Sequence, residues 1–409
     1  MSKTTPVIPV AKPWMGLPEI RAVKRAILSG WVTQGPEVAA FEEEFCKFTG
    51  AKHACAVSSC TTALHLALMA VGVRPGDEVI APSHSFIATA NSIRYCGAVP
   101  VFVDISPETF NINTSLIEKA ITGKTRAILC VHQLGMPCDL ESILRIARHH
   151  KLKVVEDAAC AIGSEILWRG RWEKIGKPHG DVACFSFHPR KLLTTGDGGM
   201  ITTSHAKLDA EFKLLRQHGM SIPDTVRHSS QEMIFESYTR LGFNYRMTDI
   251  QASIGREQLK RIPRVVEKRR RQARNYMEML GGIKGLGCPE EPAWARSNWQ
   301  SFCVRLPEGC DQKRTMDYML RACVATRRGV MCSHREPAYK HEEWVCGHGK
   351  KMHLRCKLLR ESELAQGRTI ILPLFHKMTV ADQKNVSKSL SIACQQAQQV
   401  VHDMKRQYK

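Results

Sequence analysis

The sequence predicts an α/β protein: a large domain built on a mainly parallel sheet, then a smaller α+β domain. Two observations carry this. From His53 to Asp157, short apolar runs alternate with segments of helical spacing, the pattern of a parallel sheet covered on both faces. Beyond residue 280 the composition shifts to a Gly- and Pro-rich stretch over 281–297, followed by a second, shorter set of elements. A chain of 409 residues has room for both. The expected divisions are an arm over 1–15, the large domain over 16–255, a bridging helix over 256–280 and the small domain over 281–409.

Each element has a local reason. Leu17 to Leu28 has helical apolar spacing and stops at Ser29-Gly30. Pro36 opens a second helix that closes at Thr49-Gly50. His53 to Val57 is a strand, and Ser58, Ser59 and Thr61 are N-cap candidates for the helix after it. The amides at that helix start form a ready anion site. Strands follow over Asp77–Ala81, Val99–Val103, Arg126–Val131 and Lys153–Val155, the last ending at Glu156-Asp157. Helices are expected over Ile87–Cys96, Thr114–Ala120 and Leu140–His149. Trp168 to His179 reads as a polar excursion. A helix from Thr248-Asp249 to about Leu280 bridges the domains, with a break or kink expected at Pro263. The small domain should hold strands over Trp299–Arg305, Gly329–Cys332 and Ile370–Leu374, and helices over Asp311–Ala325, Leu358–Leu364 and Thr379–Gln396.

Composition narrows the function. With 59 basic and 39 acidic residues the formal charge is +20, which suits an anionic partner. No helix-turn-helix, zinc-finger or base-stacking pattern accompanies it, so nucleic acid is not the expected partner. The densest basic run, Lys260 to Arg274, lies on a predicted helix and reads first as a solvated face. The 16 cysteines form no CxxC pair at zinc spacing and fall largely in apolar segments, as buried thiols of a reducing compartment would. No metal site is expected. No apolar stretch reaches transmembrane length, and a cytoplasmic location is the expectation.

The stretch from Asp181 to Thr203 organises the rest. It reads as an apolar strand, a polar loop, a lone lysine, a Gly-rich turn and a second strand. An isolated loop lysine is ordinarily just exposed. Here Lys191 follows Ser186 by five residues, and Asp157 closes a strand that should end at the same crevice. Lysine can carry a carbonyl cofactor as a Schiff base. A carboxylate can hold the pyridine nitrogen of pyridoxal phosphate protonated. Ser186 and the helix start at Cys60-Thr61 would serve its phosphate, and Phe86 would cover one ring face.

The motifs WVTQGPEVAAFEEEF (31–45), SSCTTALHLAL (58–68), GDEVIAPSHSFIATANSI (76–93), VHQLGMPCD (131–139), VVEDAACAIG (154–163), FSFHPRKLLTTGDGG (185–199) and GFNYRMTDIQASIG (242–255) extend the pattern over nearly the whole chain. Together they resemble the DegT/DnrJ/EryC1/StrS family of pyridoxal-phosphate aminotransferases. The resemblance implies the aspartate-aminotransferase fold (fold type I) and a homodimer with both active sites at its interface. Lys191 matches the Schiff-base lysine and Asp157 the pyridine-nitrogen partner. Cys60, Thr61 and Ser186 match phosphate-side positions, Phe86 the stacking aromatic, and Asn244 the asparagine that reaches the neighbouring subunit's phosphate. His188, Arg246 and Arg335 are candidates for substrate, with Arg227 weaker.

Three positions depart from the family pattern. Cys60 stands where Gly is usual, His84 where a small or apolar residue is usual, and Cys160 where Gln is usual. A thiol at 160 is a weak donor to the cofactor's phenolic oxygen. The implied reaction moves an amino group from an amino acid, L-glutamate first and L-glutamine second, to a nucleotide-diphospho-4-keto-6-deoxy sugar. A 3-keto sugar or an aminocyclitol ketone is an alternative acceptor. A dehydratase-like or regulatory pyridoxal-phosphate protein is the remaining class, and Lys191 speaks against the dehydratase.

Overall fold

The computed structural model describes residues 6–222, 233, 235–347, 350–351 and 356–407, so Arg227 lies outside the described residues. The first helices match their sequence signals. α1 (Leu17–Leu28) and α2 (Pro36–Thr49) are followed by β1 (His53–Val57) and α3 (Cys60–Ala70). Gly50 closes α2 at φ 82°, a left-handed conformation that glycine adopts without strain. The remaining strands of the first half are β2 (Glu78–Pro82), β3 (Val99–Val103), β4 (Thr125–Val131), β5 (Lys153–Asp157), β6 (Glu165–Trp168), β7 (Arg171–Lys174), β8 (Val182–Ser186) and β9 (Gly199–Thr203). In the second half lie β10 (Ala295–Arg296), β11 (Phe302–Arg305), β12 (Arg327–Arg328), β13 (Val345–Cys346), β14 (Lys350–Lys351) and β15 (Thr369–Leu372).

The large sheet has nine strands in the order β1-β9-β8-β5-β4-β2-β3-β13-β14. The run from β8 through β5, β4, β2 and β3 to β13 is parallel. β9 is antiparallel to both neighbours, β8 and β1. Strand alternation feeds two cores, one on each face. From β4, Ile128 and Cys130 join Phe41, Phe45 and Phe185 on one side, while Ala127 and Leu129 join Leu64, Leu68 and Val79 on the other. The small domain holds an antiparallel sheet, β11-β15-β12, over a core that includes Tyr276, Phe302, Met319 and Leu390.

The structure corrects several expectations. The polar stretch after Ile166 is a hairpin, β6–β7, turning at Arg169 (φ 49°) and Gly170 (φ 79°). The long helix Asp249–Leu280 runs without interruption for 32 residues, Pro263 included. Proline removes only one ladder bond there, and neighbours on both sides hold the helix. Its buried face (Leu259, Ile262, Val265, Val266) packs into the large core, and Gly255 leaves room for the Phe41 ring, which would lie 2.6 Å from an added Cβ. The strand expected at Gly329–Cys332 lies instead at Arg327–Arg328.

Residues 333–347 and 356–360 return to the large domain. β13 pairs parallel with β3, and Trp344, Cys346, Cys356 and Leu359 cluster around Phe102 and Tyr339. Cys346 and Cys356 form a disulfide, whereas the other cysteines are free thiols, most of them buried as expected. Asp104, just after β3, accepts the amides of Glu361 and Ser362 and so caps the helix Arg360–Arg368. No described helix is long and apolar enough to cross a membrane.

The N-terminal end of the long helix is tied to α2 by one side chain. Asp249 accepts the amides of Gly35, Glu37 and Val38 at 2.7–3.0 Å, which are orphan donors at the start of α2. Asp249→Ala leaves those donors without a partner where water reaches poorly. The expected loss is about 1–3 kcal/mol, read as a lower denaturant midpoint with an unchanged slope. An unchanged midpoint would show that water replaces the carboxylate.

Candidate active site

The C-terminal ends of β5 and β8 and the start of α3 converge on a cavity of about 250 Å³. Ser59 caps α3, its hydroxyl accepting the Thr62 amide at 3.1 Å. That leaves the first-turn amides of Cys60 and Thr61 without an intrahelical acceptor. Cys60, Thr61 and Ser186 all line the cavity, so hydroxyl and amide donors gather at one end. Gly199 makes this approach possible: a Cβ there would sit 2.6 Å from the Ser59 carbonyl.

Asp157 occupies the cavity floor at the end of β5 and is 5% exposed. Its Oδ2 accepts the Thr89 hydroxyl at 2.8 Å, and its Oδ1 accepts the Ala159 amide at 3.1 Å. Ser85 bonds Thr89 in turn at 2.7 Å. Burial pushes the Asp157 carboxyl above its ordinary range, and the hydrogen bonds and Lys191 only partly offset it. Behind it, His132 Nε2 meets Glu156 Oε2 at 3.1 Å, while the Cys138 amide donates to His132 Nδ1 at 3.0 Å. An Nδ1 that accepts must carry a lone pair, so His132 is the neutral Nε2–H tautomer donating to Glu156.

Lys191 projects from the loop after β8. Its Nζ donates to the Cys160 sulfur at 2.9 Å. Burial works against its charge, yet Cys160, with Cys60 and Asp157 nearby, leaves its pKa above the ordinary lysine value. The loop is clamped from the second domain. Gln300 Nε2 donates to the Arg190 carbonyl at 2.7 Å, and Gln300 Oε1 accepts the Leu192 amide at 3.2 Å, bracketing the lysine. Asn298 donates to the carbonyls of Cys160 and Ile162, both at 2.8 Å.

Most of the sequence-predicted residues meet here. Lys191, Asp157, Cys60, Thr61, Phe86, Cys160, Ser186 and His188 line one cavity. Phe86 is 64% exposed and lines that space. Burial, then the Arg190 charge, lowers the His188 pKa. Asn244, Arg246 and Arg335 do not line it. Asn244 is exposed, Arg246 bridges to Val57 through the backbone, and Arg335 sits exposed in the turn Ser333–Arg335. His84 is buried beside Phe110 and Cys332 behind the cavity wall, not in it. The sequence reading missed Thr89, Ser85, Asn298 and Gln300. Only Thr89 carried a signal, as a hydroxyl residue in the first turn of the helix Ala88–Tyr95.

An amine, a buried carboxylate, a hydroxyl, two free helix-start amides and an open aromatic face fit pyridoxal phosphate group by group. Fold and site together define a fold type I, pyridoxal-phosphate-dependent transaminase. The family model for the DegT/DnrJ/EryC1/StrS aminotransferase family matches residues 15–391, and the chain belongs to that family. It is 40% identical over 308 residues to the spore coat polysaccharide biosynthesis protein SpsC of Bacillus subtilis, covering 75% of this chain and 78% of SpsC. Among solved structures, the aminotransferase TlmJ of Streptoalloteichus hindustanus superposes with a TM-score of 0.84 at 31% identity, covering 95% of this chain and 99% of TlmJ. DesI, solved with its TDP-sugar product, superposes with a TM-score of 0.84 at 26% identity, covering 98% of this chain and 96% of DesI.

The Asp157 pKa has a direct consequence. A carboxyl whose folded value is raised adds stability only while protonated, and that stability is lost as pH rises through the folded value. Asp157→Asn removes the buried charge, and the amide can donate to Thr89 if the Thr89–Ser85 hydroxyls reverse. The cofactor-free variant should melt at or above wild type at neutral pH, the difference vanishing in acid. Transamination should fall by about 10²-fold or more. A cofactor-free variant that melts well below wild type at neutral pH would contradict this.

Proposed function

We propose that the protein transfers an amino group from L-glutamate to a nucleotide-diphosphate-linked keto-sugar, with a 4-keto-6-deoxy sugar as the acceptor. The observation that carries the reading is the lysine amine of Lys191 in one cavity with the buried Asp157 carboxylate. DesI's TDP-sugar and SpsC's place in polysaccharide biosynthesis support the acceptor class.

Pyridoxal phosphate, when bound, supplies an electron-withdrawing ring that stabilises charge at the carbon losing its proton. Asp157, aimed by Thr89 and Ala159, would hold the ring nitrogen's proton. Ser186 and the Cys60 and Thr61 amides would hold the phosphate, and Phe86 would cover the ring. Lys191 would hold the cofactor through Nζ, and with Nζ free would take the proton from the donor's α-carbon. Cys160 keeps Nζ in place and leaves the phenolic oxygen with a weaker partner than an amide would be.

Asn244 acts across a dimer interface in this reading. It is exposed in its own chain, and Phe235 (85% exposed), Tyr238 (62%) and Leu241 (90%) give the same stretch an apolar surface suited to a second copy.

Two measurements test this. Addition of L-glutamate to the holoenzyme should discharge the visible absorption band, and a keto-sugar should restore it; a band indifferent to glutamate and glutamine would remove the donor assignment. Lys191→Ala should keep the fold and lose activity by at least about 10²–10⁴-fold. Mixed with Asn244→Ala, it should form heterodimers with one intact site and regain part of the activity. Proven heterodimers without recovery would sink the cross-subunit role.

A further inference from the structure

A thiol touches the amine of Lys191. The Cys160 sulfur accepts from Nζ at 2.9 Å. One segment of the second domain fixes both partners. Asn298 donates to the Cys160 carbonyl at 2.8 Å, while Gln300 takes the Leu192 amide at 3.2 Å and donates to the Arg190 carbonyl at 2.7 Å. The pair is open from two sides. Lys191 and Cys160 border the cavity of about 250 Å³ and also a second one of about 140 Å³ that reaches toward the small domain. Both spaces exceed the roughly 30 Å³ that a water takes up in the liquid, so a molecule as small as hydrogen peroxide fits in either. Cys46, Cys60 and Cys288 are free and half-buried too, but burial pushes their thiols up, toward the unreactive form.

We propose that Cys160 is an oxidative modification site whose product is a sulfur–nitrogen bond to Lys191, a reversible lock on the lysine. The bond needs only these two side chains and an oxidant of the peroxide class; its effect on turnover rests on the aminotransferase reading. Oxidation begins at accessible thiols beside a cation, and the sulfenic acid formed there condenses with a nearby nitrogen. The Cys160 sulfur, as thiolate, attacks one oxygen of hydrogen peroxide. The S–O bond forms, the O–O bond breaks, and the departing hydroxide takes a proton from the Lys191 ammonium. Water, a sulfenic acid and a neutral amine result. Nζ then attacks the sulfur, the S–O bond breaks, and the leaving hydroxide takes a proton from Nζ to become a second water. Sulfur has lost two electrons and the peroxide has gained them. Two equivalents of a small thiol reverse the change, giving back thiol and amine and leaving their own disulfide. Nζ and Sγ are already in contact, so neither loop has to move. Lys191 is available only while it does not carry the cofactor. The lock therefore closes on the cofactor-free chain, and on holoenzyme whose Nζ an amino donor has freed.

The test is hydrogen peroxide on the full chain, read by mass spectrometry of its tryptic peptides. In the cofactor-free protein the peptides carrying Cys160 and Lys191 should appear joined, lighter than their sum by two hydrogens. Holoenzyme should resist the same dose, and excess L-glutamate should make it susceptible. Fully joined protein, once returned to pyridoxal phosphate, should be slower by about 10²-fold or more, as loss of the lysine's proton transfer would make it. Dithiothreitol should separate the peptides and restore the rate. Cys160→Gln should give no joined peptide and keep its own starting activity through the treatment, whatever that activity is. Cys60→Ser should join as wild type does. Peroxide that carries wild-type Cys160 only to the sulfinic acid, or joins it to Cys60, overturns the proposal. So does a loss of activity in Cys160→Gln equal to that of wild type. If the cofactor-free chain forms the bond but no amino donor alters the susceptibility of the holoenzyme, the modification site stands and the donor reading falls.

Discussion

A buried carboxylate without an ion-pair partner in contact is the constraint on which the site depends. Asp157 lies at the end of a central parallel strand, with one hydroxyl and one amide for company. Placing a charge there lowers the stability of the empty protein, and the rest of the large domain supplies the compensation. Two apolar cores sandwich the sheet that carries it. The Glu156–His132 pair shows the alternative treatment of an adjacent acid: Glu156 also takes the amides of His179 and Gly180, leaving no capacity for a ligand. Neighbouring carboxylates on opposite faces of one strand thus have opposite fates, one sealed into structure and one left short of partners at a cavity.

The lysine is governed from the other domain. Gln300 and Asn298 reach across to the backbone on either side of Lys191 and at Cys160. They lie just before β11, the first strand of the small sheet, so the two domains meet through the backbone that sets the lysine's position. Trp299 between them has φ 53°, a left-handed conformation for a bulky residue, which aims its two neighbours back toward the large domain. Gly135 belongs to the same joint, since a Cβ there would lie 2.1 Å from the Asn298 side-chain oxygen. A small relative movement of the domains would therefore be felt at the lysine loop.

Much of this was legible in the sequence because local signals agreed with the fold. Caps at Ser59 and Thr248, the left-handed glycine at Gly50 and the apolar strands each announce themselves within a few residues. Lys191, Asp157 and Ser186 could be joined because strand ends in an α/β sheet share one edge. What could not be read is non-local. The Gln300 contacts span 108 and 110 residues, and β13 is a two-residue strand whose pairing with β3 joins positions more than 240 residues apart. The β6–β7 hairpin was missed for a different reason. Its Arg-Gly turn was visible, but Glu-Ile-Leu-Trp and Arg-Trp-Glu-Lys are short and lack the clear apolar alternation that marks a half-buried strand.

Net charge was the least informative of the sequence signals, and the structure shows why. Several of the basic side chains are engaged locally: Arg256 by Glu37 and Glu44, Arg216 by Glu42, Arg270 by Glu165, Arg261 by Glu19. Such pairs hold helices together and project little field, and screening reduces what remains beyond a Debye length of about 8 Å. A cation influences a ligand when it faces an enclosed space without a carboxylate beside it. Arg335, chosen from the sequence, is exposed on a turn away from the cavity and does not meet that condition. The total of +20 is thus compatible with many partners. What a cation does for a ligand depends on where it stands, and the sum does not carry that.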